Sequence, residues 1–66
     1  MEISINGEAT TLPEPTSVHQ LLEQKDLLNQ RLAIEINMEI IPRGDFAEYI
    51  IQAGDEVEIV QAIGGG

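Results

Sequence analysis

The chain has 66 residues, no cysteine and a single histidine, so we expect one small domain that neither a disulfide nor a cysteine–histidine metal site can stabilise. Twelve acidic residues against three basic ones give a formal net charge of −9, which a nucleic-acid backbone would repel and which favours a partner with a basic docking face. No apolar run approaches the ~18 residues of a membrane span, and no signal-peptide pattern opens the chain, so we expect a soluble cytoplasmic protein without membrane contact, monomeric when free.

The first twelve residues predict a β-hairpin. Ile3 and Ile5 alternate with polar residues, which is the period of a strand with one buried face. Asn6-Gly7 is a strong hairpin signal, because both central positions of a type I′ turn need a positive φ angle. Residues 8–12 then return as a second strand, which a Pro-Glu-Pro segment ends because proline cannot donate to a strand ladder.

One helix follows the hairpin. Ser17 and Gln20 have the spacing of a capping box, in which the serine side chain and the glutamine side chain each bind a backbone N–H at the start of the helix. Apolar residues then recur at helical spacing, so that one stripe faces the sheet. The helix is predicted to run to about Lys25 or Asp26.

The second half of the chain predicts three more strands. Residues 32–36 alternate apolar and polar side chains, and residues 40–41 form a short strand that a proline ends. Residues 43–48 predict a turn or short helix with Phe46 as its anchor in the core. The last and longest strand is predicted over residues 56–63.

The predicted order is ββαβ(β)β, which is the plan of the ubiquitin-like β-grasp. This is an α+β fold with a mixed four- to five-stranded sheet and one main helix packed on one face. The right-handed crossover rule predicts that the strand after the helix runs parallel to the first strand. The domain is expected to span residues 1–63, and residues 64–66 to form a flexible C-terminal Gly tail.

The last strand predicts a docking surface for a partner protein. Its alternation places Val57, Ile59 and Ile63 on one face and Glu56, Glu58, Val60 and Ala62 on the other. If the first set is core, two apolar residues rimmed by acids are exposed close to the tail, as in an interaction site. The alternative is ordinary, because single exposed apolar residues are common.

Side-chain catalysis is not expected. His19 lies on the first helical turn with no cysteine and no evident serine nucleophile, so it is interpreted as a surface or packing residue. Asp55, Glu56 and Glu58 lack the glycine-turned loop of an EF-hand, and a solvated acidic edge explains them better than a cation site. Arg43 could pair with a nearby acid or be bound by a partner.

The glycine tail carries the predicted chemistry. Gly64, Gly65 and Gly66 have no Cβ atoms and could pass through a partner channel too narrow for other residues. The tip would present the α-carboxylate of Gly66, which is a poor electrophile until it is converted to an acyl-adenylate with AMP as leaving group. This chain then binds no cofactor itself, and a partner supplies the ATP site and Mg²⁺.

Several short motifs resemble one known family along the whole chain. They are Ser17-Val18-His19-Gln20-Leu21-Leu22, Ala33-Ile34-Glu35-Ile36-Asn37, Ile41-Pro42-Arg43, Ala53-Gly54-Asp55-Glu56-Val57 and the terminal glycines. In this order and spacing the chain resembles the ThiS family, the sulfur carriers of thiamine biosynthesis. The third glycine, Gly64, extends the family's usual pair.

The resemblance implies a carrier rather than an enzyme. Gly66 would be adenylated by a ThiF-like adenylyltransferase and converted to a thiocarboxylate with sulfur taken from cysteine by a desulfurase. Thiazole synthase would then accept that sulfur. Three alternatives remain: the small subunit of molybdopterin synthase, a ubiquitin-like protein modifier, and a non-covalent binding module. Members of the molybdopterin family tend to carry prolines just before the diglycine, whereas this chain has Gln61-Ala62-Ile63.

Overall fold

A computed structural model describes residues 1–61, so the predictions for Ala62, Ile63 and the three terminal glycines lie outside the described residues. The described part contains five strands, one α-helix and one 3₁₀ turn at Arg43–Asp45. Their bounds are β1 Glu2–Ile5, β2 Glu8–Thr11, α1 Val18–Gln24, β3 Leu32–Ile36, β4 Glu39–Ile41 and β5 Glu56–Gln61. No helix in residues 1–61 is long and apolar enough to cross a membrane.

The five strands form one mixed sheet in the order β2-β1-β5-β3-β4. β1 and β5 pair in parallel, and the other neighbouring strands pair antiparallel. The α+β β-grasp prediction is confirmed, with five strands and one helix.

The predicted direction of the strand after the helix was wrong. β3 runs antiparallel to β5 and therefore antiparallel to β1, and the strand parallel to β1 is β5. The crossover rule relates the two strands that flank the helix, which are β2 and β3, and these two do run in the same direction. β5 occupies the place between β1 and β3, where both edges of the longest strand are paired.

The hydrophobic core lies between α1 and one face of the sheet. Val18 and Leu22 of the helix are fully buried, and Phe46 anchors the 3₁₀ turn against the same cluster, as predicted. The remaining core residues come from the strands and their connections: Ile3, Ile5, Leu12, Leu21, Ile34, Ile36, Ile41, Ile51 and Val57. The opposite face of the sheet is left uncovered by the described chain.

Local side chains fix the two hairpins and the helix start. Asn6 and Gly7 have φ angles of 50° and 85°, which confirms the predicted turn between β1 and β2. The Ser17 side chain accepts a hydrogen bond from the backbone N–H of Gln20, and the Gln20 side chain accepts one from the Ser17 N–H. The capping box is therefore confirmed, and it determines where the chain enters the helix.

Candidate functional site

The C-terminal tail follows directly from a central strand of the sheet. Gln61, the last residue of β5, is opposite Leu32, the first residue of β3. Residues 62–66 leave the sheet at this end and lie outside the described residues, so the role of Gly64, Gly65 and Gly66 stays a prediction. The structure establishes the root of the tail as a fully paired strand on its β3 side.

The uncovered face of the sheet contains the side chains predicted for docking. Glu56 and Glu58 are exposed, Val60 is 53% exposed, and Val57 between them is buried. The alternation predicted for the last strand is thus confirmed up to Gln61, and Ala62 is not described. Exposure by itself does not test a role in binding, which stays a prediction.

The tertiary structure adds three residues to this surface. Ile40 of β4 is opposite Glu35 of β3, which in turn is opposite Glu58, so all three side chains share the uncovered face. Ile40 is 71% exposed, and Met38 in the β3–β4 turn is 90% exposed. We call this surface the outer sheet face, and it consists of Glu35, Met38, Ile40, Glu56, Glu58 and Val60.

The sequence analysis missed the contribution of β4 to this face. A signal was available: in Ile40-Ile41 strand alternation must place one of two large aliphatic side chains outward. Sequence alone could not show that this outward side chain shares a face with Val60. All of these residues except Ile40 line a shallow cavity of about 300 Å³.

Met38 has an unusual backbone conformation in the turn that borders the cavity. Asn37 and Met38 both have positive φ angles, of 53° and 71°. A bulky residue other than glycine is strained in this region. The turn therefore holds a large apolar side chain in solvent at a position that glycine would occupy at lower cost.

The outer sheet face is acidic and has no basic neighbour in register. Glu35 and Glu58 lie directly opposite each other, an arrangement of like charges that destabilises a sheet. Within residues 1–61 the one salt bridge joins the N-terminal amine to Glu14, away from this face. The carboxylates of the face are thus left to solvent or to the cations of a partner.

The other residues singled out in the sequence have structural surroundings. Asp55 is buried, and its carboxylate accepts hydrogen bonds from the Asn37 side chain at 3.0 Å and the Gln52 backbone N–H at 2.8 Å. It therefore joins the β3–β4 turn to the start of β5 and does not face Glu56 or Glu58. No group of three acidic or histidine side chains in the described residues is arranged to hold a metal ion.

Arg43 resolves into a structural contact. Its guanidinium donates to the Gln30 backbone oxygen at 3.1 Å and lies 5.7 Å from the centre of the Phe46 ring. His19 is half-buried in the first turn of α1, and its backbone N–H donates to the Phe46 oxygen at 2.9 Å. Both residues hold the 3₁₀ turn in place.

The largest surface depression lies at the other end of β5. It has a volume of about 460 Å³ and is lined by Met1, Glu14, Pro15 and residues 50–53. These residues precede the start of β5, whereas the tail follows its end. Its size does not make it the functional site, because the predicted chemistry requires reach from the tail.

Comparison with known proteins agrees with the fold and the tail. The chain is 39% identical to the sulfur carrier protein ThiS of Escherichia coli K12 over 66 residues, and the match covers all of both chains. It is 36% identical over its whole length to a segment that makes up 20% of a protein named thiazole synthase from Paramagnetospirillum magneticum. The crystal structure of a ThiS protein from Geobacter metallireducens superposes with a TM-score of 0.85 at 29% identity, with full coverage of both chains. The sequence model of the ThiS family matches residues 2–66, and the chain therefore belongs to the ThiS family.

Proposed function

We propose that this chain carries sulfur for thiazole formation in thiamine biosynthesis, with Gly66 as the modified residue. The observation that supports this most is the end-to-end match with a protein named sulfur carrier protein ThiS, in which neither chain has an unmatched domain. A carrier contributes a recognisable body and a reactive end, and its partners contribute the catalytic groups. The chain is thus a co-substrate of its partner enzymes.

The proposed chemistry takes place on the Gly66 carboxylate in two steps. A carboxylate oxygen attacks the α-phosphorus of ATP, pyrophosphate leaves, and an acyl-adenylate forms. A sulfur nucleophile at the oxidation level of sulfide then attacks the acyl carbon, and AMP leaves with the electron pair of the C–O bond. The product is a thiocarboxylate, and neither step changes the oxidation state of the glycine carbon.

The partner enzymes supply what this chain lacks. A ThiF-like adenylyltransferase would hold ATP and Mg²⁺, which neutralise the charge that develops on the phosphates. A cysteine desulfurase would provide the sulfur. We place this reaction in the cytoplasm, where ATP is available. Gly65 and Gly64 would line the passage of the tail, because the absence of Cβ atoms lets channel walls approach the backbone.

Thiazole synthase is the proposed acceptor of the sulfur. Its support is the relative from Paramagnetospirillum magneticum, named thiazole synthase, in which a segment similar to this chain is part of one longer polypeptide. Joining two modules in one chain raises the effective concentration of each for the other. Such a fusion favours modules that act on one another.

The outer sheet face is the proposed docking surface for these partners. Its exposed aliphatic side chains, Val60 and Ile40, offer apolar area that the fold leaves uncovered. The opposed carboxylates of Glu35 and Glu58 would be stabilised by arginine or lysine side chains of a partner. Because Val60 is one residue from the end of β5, a partner bound here has the tail beside its contact area.

Intact-mass analysis tests the proposed function. The protein is incubated with ATP, Mg²⁺, the adenylyltransferase of its own organism, the desulfurase and cysteine. The expected result is a mass gain equal to the exchange of one oxygen for sulfur, localised to Gly66. A variant with one alanine added after Gly66 is the matched control and should stay unchanged.

The other outcomes separate the alternatives. A sulfurated protein that supports molybdopterin formation but not thiazole formation would assign it to the molybdopterin pathway. Covalent conjugates through Gly66 to lysines would indicate a protein modifier. An unchanged mass with active partner enzymes would contradict the carrier function altogether.

A further inference from the structure

The side chain of Asn6 binds the strand that leads into the tail. Its Oδ1 accepts a hydrogen bond from the Ile59 backbone N–H at 2.8 Å, and its Nδ2 donates to the Ile59 backbone oxygen at 3.3 Å. One side-chain amide thereby binds both backbone groups of a residue 53 positions away in the sequence. A backbone peptide of a neighbouring strand offers the same donor and acceptor.

Asn6 occupies the place where β1 has already ended. β1 pairs with β5 only at Ser4–Glu56 and Ile5–Val57, and the Asn6 backbone N–H adds one bond to the Val57 oxygen. Beyond that point the chain turns into the hairpin, while β5 continues to Gln61. On this edge the Asn6 amide extends the pairing of β5 by two residues toward the tail.

We propose that Asn6 is a positioning residue for the tail, and this inference rests on the sulfur-carrier function proposed above. β3 holds one edge of β5 as far as Gln61. The Asn6 amide holds the other edge at Ile59, so the root of the tail has a fixed direction. A tail that leaves the sheet in one direction reaches a partner's adenylation site without a search over many orientations.

A simpler explanation for asparagine at this position is the turn itself. Asn6 has a φ angle of 50°, which asparagine tolerates better than most residues. The substitution Asn6→Gly separates the two explanations. Glycine adopts the positive φ angle at least as readily, so the turn is kept and only the amide is lost.

Kinetics of the adenylyltransferase, with this protein as the varied substrate, test the inference. Asn6→Gly should lower kcat by about tenfold, since two net hydrogen bonds no longer hold the tail root. KM should stay within about twofold, because the outer sheet face is unchanged. The control is Thr10→Ala, which removes a side-chain bond to the Glu8 oxygen in the same hairpin and touches no atom of β5.

Each result has a definite meaning. A lower kcat for Asn6→Gly than for Thr10→Ala, with faster amide hydrogen exchange at Ile59, supports the positioning role. Equal kcat values for Asn6→Gly and the unmodified protein refute it, as do equal losses in both variants, which would indicate general destabilisation. If the unmodified protein itself is not adenylated, the carrier function fails, and that failure is distinct from either result.

Discussion

Replacing Val60 by glutamate should separate docking from folding. The fold buries about half of this side chain, so its loss costs about 0.7 kcal/mol of unfolding free energy when a fully buried valine contributes about 1.5 kcal/mol. The lower strand propensity of glutamate adds up to about 1 kcal/mol. On docking, the exposed half would contribute about 0.8 kcal/mol, and carrying a carboxylate into apolar contact costs a further ~1–3 kcal/mol. The dissociation constant should therefore rise by about 30-fold or more, which corresponds to about 2 kcal/mol.

Calorimetric titration against the adenylyltransferase and against thiazole synthase measures this effect. The matched control is Ile50→Glu, which makes the same charge change at a side chain that is 43% exposed. Ile50 bridges to Ser17 at the helix start and is not part of the outer sheet face. Ile50→Glu should bind like the unmodified protein. Unchanged affinity of Val60→Glu for both enzymes, or an equal loss in the control, would refute the docking role of the face.

Three further predictions concern the tail, the acids and the helix start. Deleting Gly66 should abolish thiocarboxylate formation and leave the thermal midpoint unchanged; thiazole formation by the truncated protein would contradict the mechanism. Glu35→Gln should raise the unfolding free energy by about 0.2–1 kcal/mol, since it removes the repulsion from Glu58, while stopped-flow association slows and depends less on salt; a salt-independent rate in the unmodified protein would argue against electrostatic steering. Ser17→Ala should cost about 1 kcal/mol and lower the melting temperature by roughly 4–8 °C, and an unchanged melting curve would show that the capping box contributes nothing.

Elements that depend on neighbouring residues were predictable from the sequence. The turn at Asn6-Gly7 needs positive φ angles that these two residues tolerate, and the Ser17 capping box closes within four residues. The alternation in the last strand correctly placed Val60 outward and Val57 inward. Each of these signals is local because the hydrogen bonds or the side-chain period that create it span only a few positions.

The placement of the strands was decided by the tertiary structure. Local pattern did not show that β5, not β3, pairs in parallel with β1, because strand order depends on which distant segments bury their apolar faces together. The same pairing brings Ile40 and Met38 beside Val60, and Asn6 beside Ile59. The sequence by itself thus determined the elements and the chemistry of the glycine end. The outer sheet face and the Asn6 contact with the tail root arise only from side chains that folding brings together over long sequence distances.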